Sequence, residues 1–348
     1  MDLTTAIGKE VYKATSESRA PLFKTLSREM NLAQVKPVLQ LNPFPVTLDP
    51  SDYVNPQSST NPNGSYLTLY AFHQLVNPIP QFSKYYSSSG SLIEEVYGNI
   101  INGASVRADS EYAGRVMNSA QKRFSEYGLQ NLSGIPGTWH PDYATPGDWY
   151  DITQHNRFGN LDIDLADLES GNGPYTVLSG EPDSEIMRWR VGDVKNPSSS
   201  KRIDPNTQFQ SLKFKYLKVS ITRPWLKFEF FKLQGWYLQG QGWGYCSTGK
   251  TSDNTGVFPL LPTSFIIGIN VEITADWGKL DREVIKGAVV GNEQISFGPV
   301  LFNSGMPKSH AMKNFKATVK GDTVLSPALH VIGWISSLVP FSPQSDGF

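Results

Sequence analysis

Ser264–Thr274 reads SFIIGINVEIT, and it decides the fold class. Phe265, Ile267, Ile269, Val271 and Ile273 alternate with Ser264, Gly268, Asn270, Glu272 and Thr274, and only Ile266 breaks the outer set. A period of two places successive side chains on opposite faces of a pleated strand, so this pattern predicts one long antiparallel strand with a single apolar face. Phe258-Pro-Leu-Leu-Pro262, bounded by prolines, reads as the edge entry into it.

Working outward, Leu212, Phe214 and Tyr216 share one parity and Leu217, Val219 and Ile221 the other, which predicts a β-bulge at Tyr216 and Leu217 with Lys213, Lys215 and Lys218 toward solvent. Asn160–Leu165 alternates in the same way, with an acidic outer face. Leu226–Phe231, Gln294–Phe297, Phe315–Val319 and Leu329–Ile335 are further short strand candidates bounded by turn residues. Many strands without intervening helices argue for an antiparallel sandwich or barrel.

The first third has a different texture. Leu3, Ile7 and Val11 recur at helical spacing, and Pro21 is placed to open a second short helix carrying Leu22, Phe23, Leu26 and Met30. Pro37, Pro43, Pro45, Pro50, Pro56 and Pro62 make the next stretch an extended, surface-wrapping connector. Tyr66–Val76 reads as a helix. Ser91-Leu-Ile-Glu94 has the form of a capping box ahead of a helix with Leu92, Val96 and Ile100 as its stripe. Another helix is predicted over Ser110–Tyr127, with Tyr112, Val116, Ala120 and Phe124 in register and Gly128 as a left-handed stop. The reading is therefore α+β: a mainly helical region over residues 1–134, a Trp/Pro/Gly-rich crossover over 135–160, and an antiparallel β-rich domain over 161–348.

The chain has 348 residues, of which 39% are hydrophobic and 18% charged, a composition able to form a core. Its 31 basic and 32 acidic residues balance to a net charge of −1. That argues against a nucleic-acid partner, which calls for clustered cations, and leaves little repulsion between copies of the chain. Cys246 is the single cysteine, so neither an intrachain disulfide nor a thiolate metal cluster can form within one chain. Met1–Thr15 lacks the form of a secretory signal, and no apolar run reaches the length of an integral membrane span. The expectation is synthesis in the cytosol, with export only by a non-classical route.

Four constellations offer chemistry. Gly244-Tyr-Cys-Ser-Thr-Gly249-Lys250-Thr251 has phosphate-loop spacing, but glycines precede it and a turn-rich run follows where a helix is required, so a glycine-rich β-turn is favoured over nucleotide binding. Asp162, Asp164, Asp167 and Glu169 gather oxygen ligands suited to Ca²⁺; they lack EF-hand order, and a solvated strand face ending in a turn is the stronger reading. His140 and His155 flank Asp142, Asp148 and Asp151, a gathering capable of acid–base work in a hydrolase, against the simpler reading of hydrogen bonds in a surface loop. Trp225, Trp236, Tyr237, Trp243 and Tyr245 concentrate aromatics that serve either as a β core or as a platform for a glycan or a membrane surface.

No cofactor is called for by these motifs beyond the weak Ca²⁺ pattern. The leading functional expectation is a non-enzymatic structural or interaction protein that associates with itself through Met1–Met30 and exposed strand edges. A membrane-active or carbohydrate-binding β-rich protein and a hydrolase built on His140 and His155 are the alternatives.

Overall fold

The computed structural model describes residues 3–17, 36–135, 137–165, 173–182, 186–193, 199–291, 293–304 and 316–344. Its centre is a nine-stranded antiparallel sheet. The strands are β1 (Val38–Leu41), β2 (Thr47–Leu48), β3 (Tyr143–Thr145), β4 (Gly159–Asp164), β5 (Gln208–Thr222), β6 (Leu260–Asp276), β7 (Thr318–Lys320), β8 (Thr323–Ser326) and β9 (Leu329–Leu338). β6 and β5 form the middle. β9 pairs with the first half of β6 and β8 with its second half, while β4 and β3 lie along successive lengths of β5. β1 closes one side on β9, and the sheet does not curl shut into a barrel. A four-stranded sheet, ordered Val300–Ser304, Gln294–Phe297, Trp189–Val191 and Ser200–Lys201, supplies a second layer.

The sheet is covered on both faces, and this explains the parity change in β5. Leu212, Phe214 and Tyr216 enter one core with Trp189, Phe297 and Phe302 of the second sheet, whereas Val219 enters another with Phe72, Trp149 and Phe265. Register runs unbroken from Lys215 to Ser220, so the bulge expected at Tyr216 and Leu217 is absent. The two parities simply serve two cores.

The bulge lies on the neighbouring strand. Lys213 faces Glu272 and Lys215 faces Ile269, so Asn270 and Val271 together oppose Phe214 alone. Asn270 adopts φ 53, a left-handed conformation that Asn tolerates better than branched residues do. The extra residue reverses the facing of everything beyond it. Phe265, Ile267 and Ile269 therefore pack in the Trp149 core, while Val271 and Ile273 pack in the Trp189 core beside Ile266, which the alternation had assigned to the outer face. Gly268 lies on that second face, where a Cβ would stand 2.9 Å from Ile332 and 3.1 Å from Phe214.

Five described helices surround these layers. In α1 (Leu3–Glu17), Leu3, Ile7 and Val11 are buried as their spacing predicts. α2 (Tyr66–Val76) is capped by Ser65, whose hydroxyl accepts from the Thr68 amide. In α3 (Ile93–Gly103) the buried face is Ile93, Tyr97, Ile100 and Ile101, one residue on from the expected stripe. α4 (Glu111–Tyr127) buries Ala113, Val116 and Ala120, and it ends at Gly128 in an extended conformation, φ −65 and ψ 124, not the expected left-handed one. α5 (Lys279–Gly291) stands inside the region read as all strand. Its start is held by Asp204, which accepts from the Leu280 amide at 2.9 Å, and by Asp281, which accepts from the Asp204 amide at 3.2 Å. Those capping groups lie more than seventy positions away from their partners, outside any local window.

Two other expectations change. The proline-rich connector contributes β1, whose four residues are all buried, because its prolines flank the strand and leave Val38–Leu41 free to pair with β9. β1 and β2 thus join the sheet from the N-terminal side of residue 134. Phe228–Lys232 forms a 3₁₀ helix where a strand was expected, burying Phe230 and Phe231 against Trp225, Trp236 and Phe258. The second N-terminal helix expected from Pro21 to Met30 lies outside the described residues. Among the described residues, no helix is long and apolar enough to cross a membrane.

Candidate functional site

Two of the histidine-cluster residues, His140 and Asp142, meet side chains from distant parts of the sequence. α2 carries His73 on its last turn and ends on Asn77; the Asn77 carbonyl accepts from the Ile93 amide at 2.8 Å and its side chain accepts from the Glu94 amide at 3.2 Å. The end of α2 therefore caps the start of α3. Ser91 sits in the short strand Ser88–Leu92, and the N-terminal cap of α3 makes no side-chain hydrogen bond, so the expected capping box does not form. Its carboxylate is used elsewhere.

Glu94 Oε2 accepts from the backbone N–H of His140 at 2.9 Å and lies 3.2 Å from its Nδ1, while Oε1 lies 3.6 Å from His73 Nε2. His73 Nδ1 lies 2.9 Å from Asp142 Oδ2. Asp142 Oδ1 accepts from Trp225 Nε1 at 3.1 Å and is 3.6 Å from Arg223 Nε. The guanidinium of Arg223 also donates to the carbonyls of Val76 and Pro262, tying α2 to β6. His140 stacks on Phe124 of α4 at a centroid distance of 3.8 Å and donates through Nε2 to that residue's carbonyl at 2.8 Å.

Asp142 and His73 are buried, so charge here is stable only when matched. Burial alone would push the His73 imidazole down; the hydrogen bond to Asp142 and the charges of Asp142 and Glu94 outweigh it and raise its pKa to about 9. Burial opposes ionisation of Glu94, yet the hydrogen bonds from His140 and the nearby charge of His73 hold its carboxyl down at about 2. Two carboxylates are thus set against an imidazolium and a guanidinium in a clasp joining α2, α3, α4 and the 139–142 segment.

The clasp supports the wall of a cleft. A cavity of about 560 Å³ opens between the 53–61 loop, α2 and the 143–150 segment, directly beside His73 and Asp142 in sequence, although neither residue lines it. Buried Leu69, Phe72 and Trp149 form an apolar floor; Asn55, Gln57, Ser58, Thr60, Asn61 and Tyr143 supply amides and hydroxyls above it. The loop is held by its own bonds. Asn61 Nδ2 donates to Asn55 Oδ1 and to the Pro56 carbonyl, both at 2.8 Å, and the Asn55 amide donates to the Tyr150 hydroxyl at 3.0 Å. Among the described residues no Lys, Arg or His lines the cleft, and its one acid, Asp148, is paired with Arg157.

The remaining candidates separate. His155 is exposed on the 3₁₀ turn His155–Arg157, and Asp151 bonds Thr153 and Gln154, so the ring partners of His140 are Glu94 and Phe124 instead. His140 is itself buried in the clasp, not held in a surface loop. Gly244 and Gly249 adopt φ +75 and +68 against Phe341, no helix follows Thr251, and Ser247 donates to the Val339 carbonyl: the phosphate-loop string is a turn packed on the C-terminal segment.

Asp162 pairs with Lys213 at 2.8 Å across β4 and β5, and Asp164 lies opposite Ser211; Asp167 and Glu169 lie outside the described residues. Trp225 and Trp236 are core, Tyr245 is half-buried, and Tyr237 and Trp243 are exposed, the latter by 46%. Sequence reasoning passed over His73, Glu94 as an ion-pair partner, and Arg223. Their charged partners lie 21 to 81 positions away, and no short motif carries such a pairing.

No protein-family model, no curated protein and no solved structure matches this chain.

Proposed function

We propose that this chain is a non-enzymatic binding protein for a neutral carbohydrate, seated in the cleft between the 53–61 loop and Tyr143–Tyr150. One observation carries the reading: an apolar, aromatic floor beneath a rim of amides and hydroxyls, with no cation among the described residues of the lining. A sugar ring presents an apolar face and a ring of hydroxyls, which this surface complements, whereas phosphorylated or acidic ligands require a cation. The volume is that of a small-ligand site. The test is a glycan array followed by calorimetry. Gln57→Ala and Tyr143→Ala should each weaken binding at least tenfold with the melting temperature little changed. A blank array together with no heat from the common neutral oligosaccharides would overturn the reading.

Self-association is the second reading, favoured by a separate surface. Val290, 78% exposed, and Val319, 45% exposed, border a groove of about 300 Å³ between α5 and the β7–β8 hairpin. Among the described residues β7 pairs with β8 alone, so its outer edge is open to strand addition by a second copy. The N-terminal arm is a weaker route, because Leu3, Ile7 and Val11 are buried within their own chain. Light scattering should show a concentration-dependent dimer that Val290→Lys abolishes; a monomer across the concentration range would exclude it.

A further inference from the structure

A second cavity, of about 340 Å³, lies between α1, the main sheet and the second sheet, away from the cleft. Its floor is Leu212 and Phe214 of β5 with Val271 and Ile273 of β6, and α1 adds Leu3 and Ile7 as one wall. Every described residue lining it is apolar. With no polar side chain among the described lining residues, water is poorly held there and an apolar ligand displaces it readily. The cavity's volume is within the range of small-ligand sites.

The floor is buried while Met187, Ile203 and Phe209 at the rim are half-buried, which gives the cavity a direction: a deep apolar end and a mouth toward solvent. We propose that this cavity binds a single aliphatic chain, inserted from the rim with its polar end left outside. No described side chain in the lining can hydrogen-bond a ligand, so recognition rests on the chain and not on its head.

The Asn270 bulge sets the floor of this cavity by turning Val271 and Ile273 into the core that α1 shares. Without that reversal the two side chains would face the opposite core. This inference is independent of the carbohydrate reading and uses no residue of the cleft.

Titration of the full chain with dodecanoic acid and, separately, with dodecanol tests it, read by displacement of a dansyl-labelled undecanoate. Both ligands should saturate at one site with affinities within a few-fold of each other. Val271→Phe, which fills the cavity, and Met187→Glu, which charges its rim, should each weaken binding at least tenfold. Met187 is half-buried at the rim, so that variant decides the matter even where Val271→Phe fails to fold. Absence of saturable binding to wild type, binding unchanged in Met187→Glu, or binding of the acid but not the alcohol would each overturn the proposal.

Discussion

Glu94 Oε2 stands 2.9 Å from the backbone nitrogen and 3.2 Å from Nδ1 of His140, so one carboxylate oxygen holds both the main chain and the ring of a residue 46 positions away. The other oxygen faces His73. α3 is thereby joined to α2 and to the segment leading into the cleft through a single side chain. Removing its charge should leave His73 answered by Asp142 alone.

Glu94→Gln should therefore cost on the order of 3 kcal/mol, the range for breaking a buried pair from one side. Urea denaturation measures it. His140→Ala should cost less on its own, and the double variant should fall short of the sum of the two, since both act on one contact. Additive losses would show that Glu94 and His140 stabilise the fold independently.

The clasp also sets a pH window. His73 is raised from 6.5 to about 9, so its contribution is full below pH 6.5 and is lost as pH rises through 9. Glu94 is lowered from 4.5 to about 2, so its contribution is full above pH 4.5 and is lost as pH falls through 2. Stability should be greatest between about pH 4.5 and 6.5. Between pH 6.5 and 9 the His73 share, about 3 kcal/mol from its shift, should disappear, and His73→Gln should flatten that alkaline limb. Urea midpoints collected across pH 4 to 10 provide the check.

Cys246 offers an independent probe of the core behind α3. It is fully buried beside Phe258 and Trp236, and burial pushes its thiol up to about 12. A thiolate-directed reagent at pH 8 should leave the native chain unlabelled and label it stoichiometrically in 6 M guanidinium, because both access and the thiolate are missing in the folded state. Rapid native labelling would mean that this core opens on the timescale of the reaction.

What the sequence revealed and what it hid follow one physical division. Local periodicity disclosed α1 through Leu3, Ile7 and Val11, α2 through its apolar run, and the existence of β5 and β6, since each of those signals lies within a few residues of itself. The clasp was hidden because His73, Glu94, Asp142 and Arg223 come from four separate segments that only tertiary packing brings together. Ser91 and Glu94 have the spacing of a capping box, yet a buried ion pair outbids a local cap for the carboxylate. Phe228–Phe231 has the composition of a strand, and the aromatic core around Trp236 and Phe258 folds it as a 3₁₀ turn. The cleft has no motif at all; its polar rim is a loop whose Asn, Ser and Thr residues read as turn formers.

The alternation in Ser264–Thr274 was legible while its meaning was not, because a bulge leaves no mark on a pattern that stays apolar on either side. Asn270 is the residue that permits the reversal: at φ 53 a branched side chain crowds its own backbone, whereas Gly has no Cβ to do so and Asn tolerates the conformation better than branched residues. Asn270→Gly should leave stability within about 1 kcal/mol of wild type, and Asn270→Val should lose about 1–2 kcal/mol from backbone strain. Val could escape the strain only by removing the bulge. That would turn either Val271 and Ile273 out of the Trp189 core or Phe265, Ile267 and Ile269 out of the Trp149 core. Either exchange dismantles a packed layer, so the strain should be retained and the strand register kept. Chemical denaturation of the two variants, with amide hydrogen exchange across Lys213–Lys215 to report the register, distinguishes a strained native sheet from a shifted one.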